Sequence, residues 1–139
     1  MITIGSKINL IKGISVKKDI TNLQILLVED DLFNQQLFRH WLEREVAKVK
    51  VAENGKVAIE MLNAENFDII LMDINMPIMD GFEAIRIIRS TVEFKDYKII
   101  AITANDDKRK CLEAGADSFL AKPYKIKDVK SEILKLINS

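Results

Sequence analysis

With 139 residues the chain has room for one domain around one sizeable core, and not comfortably for two. Its 21 basic and 21 acidic residues cancel, so no overall field points to nucleic acid or to a membrane surface. Apolar residues at 48% and charged residues at 30% are an ordinary globular balance, and no apolar run approaches the roughly 20 residues of a membrane span.

Residues 1–22 stand apart. They hold four lysines and one aspartate, a net of +3 that leaves −3 for residues 23–139. Ile2, Ile4, Ile8, Leu10, Ile14 and Val16 partly alternate with polar or small residues, while Gly5 and Gly13 interrupt the pattern. The expectation is an extension or linker, with an added edge strand or a dimer contact as the alternative. Without a continuous apolar stretch behind the lysines no signal peptide is expected, and the expected compartment is the cytoplasm. The single cysteine, Cys111, excludes an intrachain disulfide, permits a reducing compartment, and reads as a small helical residue.

From Gln24 the pattern is regular. Ile25 to Val28 is an apolar strand ending in Glu29-Asp30-Asp31. Leu32 to about Val46 reads as a helix with Asp31 at the capping position. Its apolar residues Phe33, Leu37, Phe38, Trp41 and Leu42 spread over roughly 180°, wider than the ~100° stripe of a surface helix. Either neighbouring helices cover both flanks or one flank is open to a partner. His40 lies mid-helix beside Arg39 and reads as an exposed polar residue.

Lys48 to Ala52 is a second strand, Asn54-Gly55 turns out of it, and Val57, Ala58, Met61 and Leu62 give helical spacing to Ala64. Ile69 to Met72 is a short, wholly apolar third strand, the pattern of a strand buried on both faces, and it ends in Asp73. Beyond Pro77 and Gly81, a helix runs from Phe82 to about Ser90. Lys98 to Ile102 is a fourth strand with Thr103 at its end. Asp106 to Ala114 is a short helix stopped by Gly115 as a left-handed cap. Ser118 to Ala121 is a fifth strand ending in Lys122-Pro123, and Ile126, Val129, Ile133, Leu136 and Ile137 stripe a last helix.

Five strand–helix units call for an α/β fold, a five-stranded doubly wound parallel sheet of order 2-1-3-4-5. In open sheets of this kind ligands bind beyond the carboxyl ends of the strands. Those ends offer Glu29, Asp30 and Asp31 on strand 1, Asp73 on strand 3, Thr103 on strand 4 and Lys122 on strand 5, all converging on one crevice. Carboxylates without histidines suit Mg²⁺. A carboxylate beside that ion can serve as a nucleophile toward phosphorus, and a lysine and a hydroxyl can neutralise and orient phosphoryl oxygens.

Val28-Glu29-Asp30-Asp31, the run Met72-Asp73-Ile74-Asn75-Met76-Pro77-Ile78-Met79-Asp80-Gly81, Thr103-Ala104 and Lys122-Pro123 together resemble a two-component response-regulator receiver domain, of flavodoxin-like (βα)5 fold, over about Gln24 to Asn138. The wording Leu-Met-Asp-Ile-Asn-Met-Pro, with Asn34 on helix 1, is most similar to receivers of hybrid histidine kinases. The resemblance makes residues 23–139 the receiver and Asp73 the phosphoacceptor. It implies a Mg²⁺ cofactor bound by Asp73, by Asp30 directly, by Glu29 through water and by the backbone carbonyl of Asn75. It gives Lys122 and then Thr103 to the phosphoryl group, Phe119 to the switch, and a cis bond before Pro123. It further implies a histidine kinase or a histidine phosphotransfer domain as donor, and a downstream partner on the face of helix 4, strand 5 and helix 5. No nucleic acid and no membrane contact is expected, nor an enzyme beyond self-catalysed phosphorylation and dephosphorylation, either as a standalone protein or as part of a hybrid kinase. Asn75 and Asn105, two residues past Asp73 and Thr103, are placed to orient an attacking water. The rival readings are an aspartyl-phosphate phosphohydrolase, which tends to set its two acids two residues apart after the first strand, and a phosphate-independent adaptor, which has no need of all five groups.

Overall fold

A computed structural model of the protein describes residues 18–45, 47–104 and 107–139. The expectations for residues 1–17, for Val46 at the end of the first helix, and for Asn105 and Asp106 lie outside the described residues. The elements are β1 (Gln24–Val28), α1 (Leu32–Arg44), β2 (Lys48–Ala52), α2 (Gly55–Ala64), β3 (Ile69–Asp73), α3 (Gly81–Ser90), β4 (Lys98–Thr103), α4 (Lys108–Ala114), β5 (Ser118–Ala121) and α5 (Ile126–Ile137). The strands form one parallel sheet of order β2-β1-β3-β4-β5, the expected topology.

The apolar strand runs are continuous because both faces of the sheet are covered. Side chains alternate between two cores. Leu26, Val28, Ile70, Met72, Ile99 and Ala101 face one core, closed by Ala58 and Leu62 of α2, Ala84, Ile85 and Ile88 of α3, and Cys111 and Ala114 of α4. Ile25, Leu27, Ile69, Leu71, Ile100 and Ile102 face the other, closed by Phe38 and Leu42 of α1 and Val129 and Ile133 of α5. Cys111 is thus a buried packing residue, and His40 is exposed.

The width of the α1 stripe has two explanations, one at each end. Phe38 and Leu42 are core, and Trp41 lies edge-on to Phe38 at 6.0 Å and to Tyr124 at 6.5 Å, so an aromatic following β5 covers that flank. Leu32 and Phe33 in the first turn are open to solvent.

Three helices leave the carboxyl edge through a side-chain cap. Asp31 accepts from the Asn34 N–H, Asn54 from Val57 and Asp80 from Glu83, each at 2.9 Å. Gly115 ends α4 with φ of 117°, as expected of a left-handed cap. At the opposite edge Arg89 donates to the carbonyls of Gly115, Lys95 and Tyr97 and pairs with Asp117 at 2.8 Å. That junction has no local sequence signal, because its partners lie 6 to 28 residues away.

The chain joins the body earlier than the break in pattern at residue 22 suggests. Ile20 and Leu23 are buried in the second core. The Lys18 N–H donates to Asn138 Oδ1 at 2.7 Å, and Asn138 Nδ2 donates back to the Lys18 carbonyl at 3.0 Å. Of residues 18–22, Ile20 is thus part of the core and Lys18 is tied to the last helix's end, while the side chains between and after them face solvent.

Gly81 sets the exit from β3. Its N–H bonds the Ile74 carbonyl at 2.9 Å, and a Cβ there would sit 2.5 Å from the Asp73 carbonyl oxygen and 2.6 Å from Ile74 Cα. Both are backbone atoms that cannot swing aside. Gly81→Ala is expected to lower unfolding stability by about 3 kcal/mol, measured by chemical denaturation; a loss below ~1 kcal/mol would show that the loop gives way freely.

Candidate functional site: an acidic cleft at the carboxyl edge of the sheet

The strand register assembles the site. Val28 pairs with Met72, so Glu29 and Asp73 leave neighbouring strands on the same rung. Asp73 pairs with Ile102, and Thr103 with Ala121, so Thr103 and Lys122 follow one step further along β4 and β5. The Lys122 N–H bonds the Thr103 carbonyl at 2.7 Å and extends the ladder past β5. Residues separated by up to 93 positions in sequence thus meet in one cleft.

Carboxylate oxygens of Glu29, Asp30 and Asp73 all lie within 4.8 Å of one another. Glu29 and Asp73 are each 2% exposed, whereas Asp30 is open to solvent. Asp31, the third acid after β1, is taken up in capping α1. Lys122 Nζ stands 3.4 Å from Asp73 Oδ1, a long ion pair, and the Asn75 N–H donates to the same oxygen at 3.3 Å. Thr103 is fully buried, and its hydroxyl donates to Asp107 Oδ2 at 3.4 Å. The Lys122–Pro123 bond is cis.

The electrostatics are those of a site short of positive charge. The Glu29 carboxyl is pushed up to about 8, first by burial and then by the charge and hydrogen bond of Asp73. The Asp31 N–H, which donates to Glu29 Oε2 at 3.2 Å, and the more distant Lys122 offset only part of that. Burial, with Glu29 and Asp73 behind it, also drives the Tyr124 phenol well above its usual value.

Phe119 is half-buried against the first core, one strand from Ala101, with Lys108 Nζ 5.5 Å from its ring centre. Two further residues shape the cleft without a motif of their own. Tyr124, next after Lys122-Pro123, stacks on Phe38 at 5.2 Å. Gln35 Nε2 donates to the Glu29 carbonyl at 2.7 Å and fixes the β1–α1 loop from the first turn of α1. The position of Tyr124 beside the Lys-Pro pair was a signal available in the sequence; that of Gln35 was not.

Known proteins agree with this architecture. The model of the response regulator receiver domain family matches residues 25–134. Hybrid signal transduction histidine kinase B of Dictyostelium discoideum is 40% identical over 126 residues, which is 81% of this chain but 6% of that protein. The chain likewise spans 10% of hybrid signal transduction histidine kinase K of the same organism. Chemotaxis protein CheY of Halobacterium salinarum is 37% identical over 121 residues, 80% of this chain and 96% of that protein. Among solved structures, the receiver domain of a sensor histidine kinase from Pseudomonas aeruginosa PAO1, with a magnesium ion coordinated in its active-site cleft, superposes with a TM-score of 0.80 at 34% identity. That comparison covers 86% of this chain and all of the other. Response regulator TrrA of Thermotoga maritima, in complex with Mg²⁺ and BeF, gives 0.73 at 32% identity over 81% of this chain and 96% of the other. The family match covers most of the chain and contains every strand end that lines the cleft, and the protein belongs to the response regulator receiver domain family.

Proposed function

We propose that the protein accepts a phosphoryl group on Asp73 from a phosphohistidine of a histidine kinase or histidine phosphotransfer domain, and relays the event as a change of conformation. The observation that carries this reading is the Asp73 carboxylate itself, nearly shut off from bulk water, with an ammonium and an N–H on one oxygen and two more acids beside it.

The donor set fits Mg²⁺. Three carboxylates within 4.8 Å and one lysine leave uncompensated negative charge, and a hard dication with oxygen ligands is its natural complement. Asp30, Asp73, Glu29 through water and the Asn75 carbonyl would hold it. When bound, Mg²⁺ supplies positive charge that the entering phosphoryl oxygens and the crowded acids share.

The chain's own groups do the rest. An Asp73 oxygen attacks phosphorus, a P–O bond forms as the P–N bond breaks, and the electron pair leaves on the imidazole nitrogen of the donor. Lys122 shifts from the carboxylate oxygen to a phosphoryl oxygen. The Thr103 hydroxyl turns from Asp107 to another phosphoryl oxygen. Phosphate-dependent contacts of this kind are the only means by which phosphorylation can bias two conformations. The turn of Thr103 opens room for Phe119 to move inward and away from Lys108, which remodels the face of α4, β5 and α5 for a downstream partner. Asn75, and Asn105 outside the described residues, are the groups we assign to orienting water in hydrolysis.

The acid spacing counts against an aspartyl-phosphate phosphohydrolase: Asp73 stands alone after β3 while the acid pair follows β1. Near-complete coverage of a CheY and a small fraction of a hybrid kinase fit a standalone receiver or the receiver part of a hybrid kinase equally. Either works in the cytoplasm.

With phosphoramidate or acetyl phosphate and Mg²⁺, the protein is expected to take up one phosphoryl group, acid-stable and labile to hydroxylamine, and Asp73→Asn to take up none. Unchanged labelling of Asp73→Asn defeats the proposal. Trp41, the chain's one tryptophan, lies edge-on to Tyr124 beside Lys122-Pro123 and reports the switch by fluorescence. Lys122→Ala should still bind Mg²⁺ but lose the fluorescence change on phosphorylation; a normal change removes Lys122 from the switch.

The pH dependence follows from Glu29. Its carboxyl titrates near 8 in the fold against 4.5 ordinarily, so the folded chain holds a proton that the unfolded chain has lost. Metal-free stability therefore falls as pH rises from 4.5 to about 8 and levels beyond it. Mg²⁺ needs the carboxylate and displaces that proton, so its apparent affinity should climb by up to about tenfold per pH unit below 8. Titrations in Glu29→Gln should show a flat profile over the same window; an unaltered slope would place the titrating group elsewhere.

A further inference from the structure

Four of the described helices begin directly after an aspartate or asparagine: α1 after Asp31, α2 after Asn54, α3 after Asp80 and α4 after Asp107. In the first three that residue is extended, with ψ between 121° and 174°, and its side chain accepts a first-turn N–H. Asp107 departs from them. Its backbone is turned to φ of −100° and ψ of 26°, and its carboxylate makes no capping bond. It accepts the Thr103 hydroxyl at 3.4 Å instead. The next residue, Lys108, is turned toward β5, its ammonium 5.5 Å from the centre of the Phe119 ring. Both residues that open α4 are thus engaged by the two side chains assigned to the switch.

The other end of α4 is fixed. Gly115 closes it in the left-handed region, and Arg89 donates to the Gly115 carbonyl at 2.7 Å. Cys111 and Ala114 are sealed into the first core. At seven residues α4 is shorter than the other described helices, and a helix of that length depends on its packing and its caps. Anchored at its end and without a side-chain cap at its start, α4 has its freedom in the first turn.

We propose that Asp107 is a shared group, held by Thr103 in the unphosphorylated chain and released to cap α4 when the Thr103 hydroxyl turns to the phosphoryl group. Phosphorylation then orders the first turn of that helix. The proposal rests on the reading of Asp73 as phosphoacceptor. A hydroxyl–carboxylate bond of 3.4 Å is long for its kind, so a phosphoryl oxygen displaces it readily. The freed carboxylate stands at the position from which a capping side chain serves the second and third helical N–H groups, here those of Arg109 and Lys110. Its charge also suits the positive end of the helix dipole. Asp107 is a positioning residue in this scheme, touching no phosphoryl oxygen and acting through Thr103. The ordered turn fixes the exposed Lys108, Arg109 and Lys110 on the face offered to a downstream partner.

Amide hydrogen exchange, read residue by residue by NMR, tests the shared role. Excess phosphoramidate with Mg²⁺ should slow exchange at Arg109 and Lys110 about fivefold, the scale of one helix cap. Asp107→Ala should still take up the phosphoryl group but lose that slowing, and Asp107→Asn, which caps equally well, should keep it. Thr103→Val, similar in shape but without the hydroxyl, should show the slow exchange with no phosphoryl group present. Equal slowing in Asp107→Ala, or unchanged exchange in Thr103→Val, overturns the role of Asp107. An unsubstituted chain that phosphoramidate does not label counts against Asp73 as acceptor and removes phosphorylation as the trigger, whereas the Thr103→Val arm needs no phosphoryl group and still reads Asp107.

Discussion

The pairing of β1 with β3 in the register Val28 to Met72 is the constraint on which the molecule depends. It places two carboxylates on one rung, where neither can leave without breaking a ladder buried on both faces. Like charges at that spacing repel, and burial deprives them of water. The fold holds the arrangement because its two apolar cores outweigh it, and the result is a Glu29 carboxyl that keeps its proton near neutrality. A site crowded in this way is receptive to positive charge, the property on which the proposed metal-dependent phosphoacceptor rests.

Division of labour runs across the sheet. The edge bearing Arg89, Asp117 and the Lys18–Asn138 pair is tied by hydrogen bonds between distant segments and by core residues such as Ile20. The carboxyl edge carries the acids, the start of α4 without its side-chain cap and the exposed first turn of α1. The ties between distant segments gather at one edge and the candidate site at the other, the edge where open α/β sheets bind ligands.

Much of this was legible from residue pattern. Strands buried on both faces announce themselves as unbroken apolar runs, so Ile25–Val28, Ile69–Met72 and Lys98–Ile102 could be placed by inspection, and the strand–helix alternation then constrains the topology. Four of the five strands end in, or run directly into, a candidate site group: Glu29 after β1, Asp73 in β3, Thr103 in β4 and Lys122 after β5. What local pattern could not show were interactions between segments far apart. Ile20 looked like linker because its burial comes from a core completed by α1 and α5. The broad apolar arc of α1 was ambiguous because Tyr124, which covers Trp41, lies 83 residues further on.

The sequence by itself determined the element types and the sheet order and marked Glu29, Asp30, Asp73, Thr103 and Lys122 as candidate site residues, because periodicity and strand-end chemistry are local properties of the chain. Only the tertiary structure decided which acids crowd together in the cleft and which caps a helix. It alone decided that Lys122 stands 3.4 Å from Asp73, and that Asp107 turns to Thr103 and leaves α4 without a side-chain cap. Those outcomes depend on distance, burial and backbone angle, quantities that exist only once separate strands have been brought side by side.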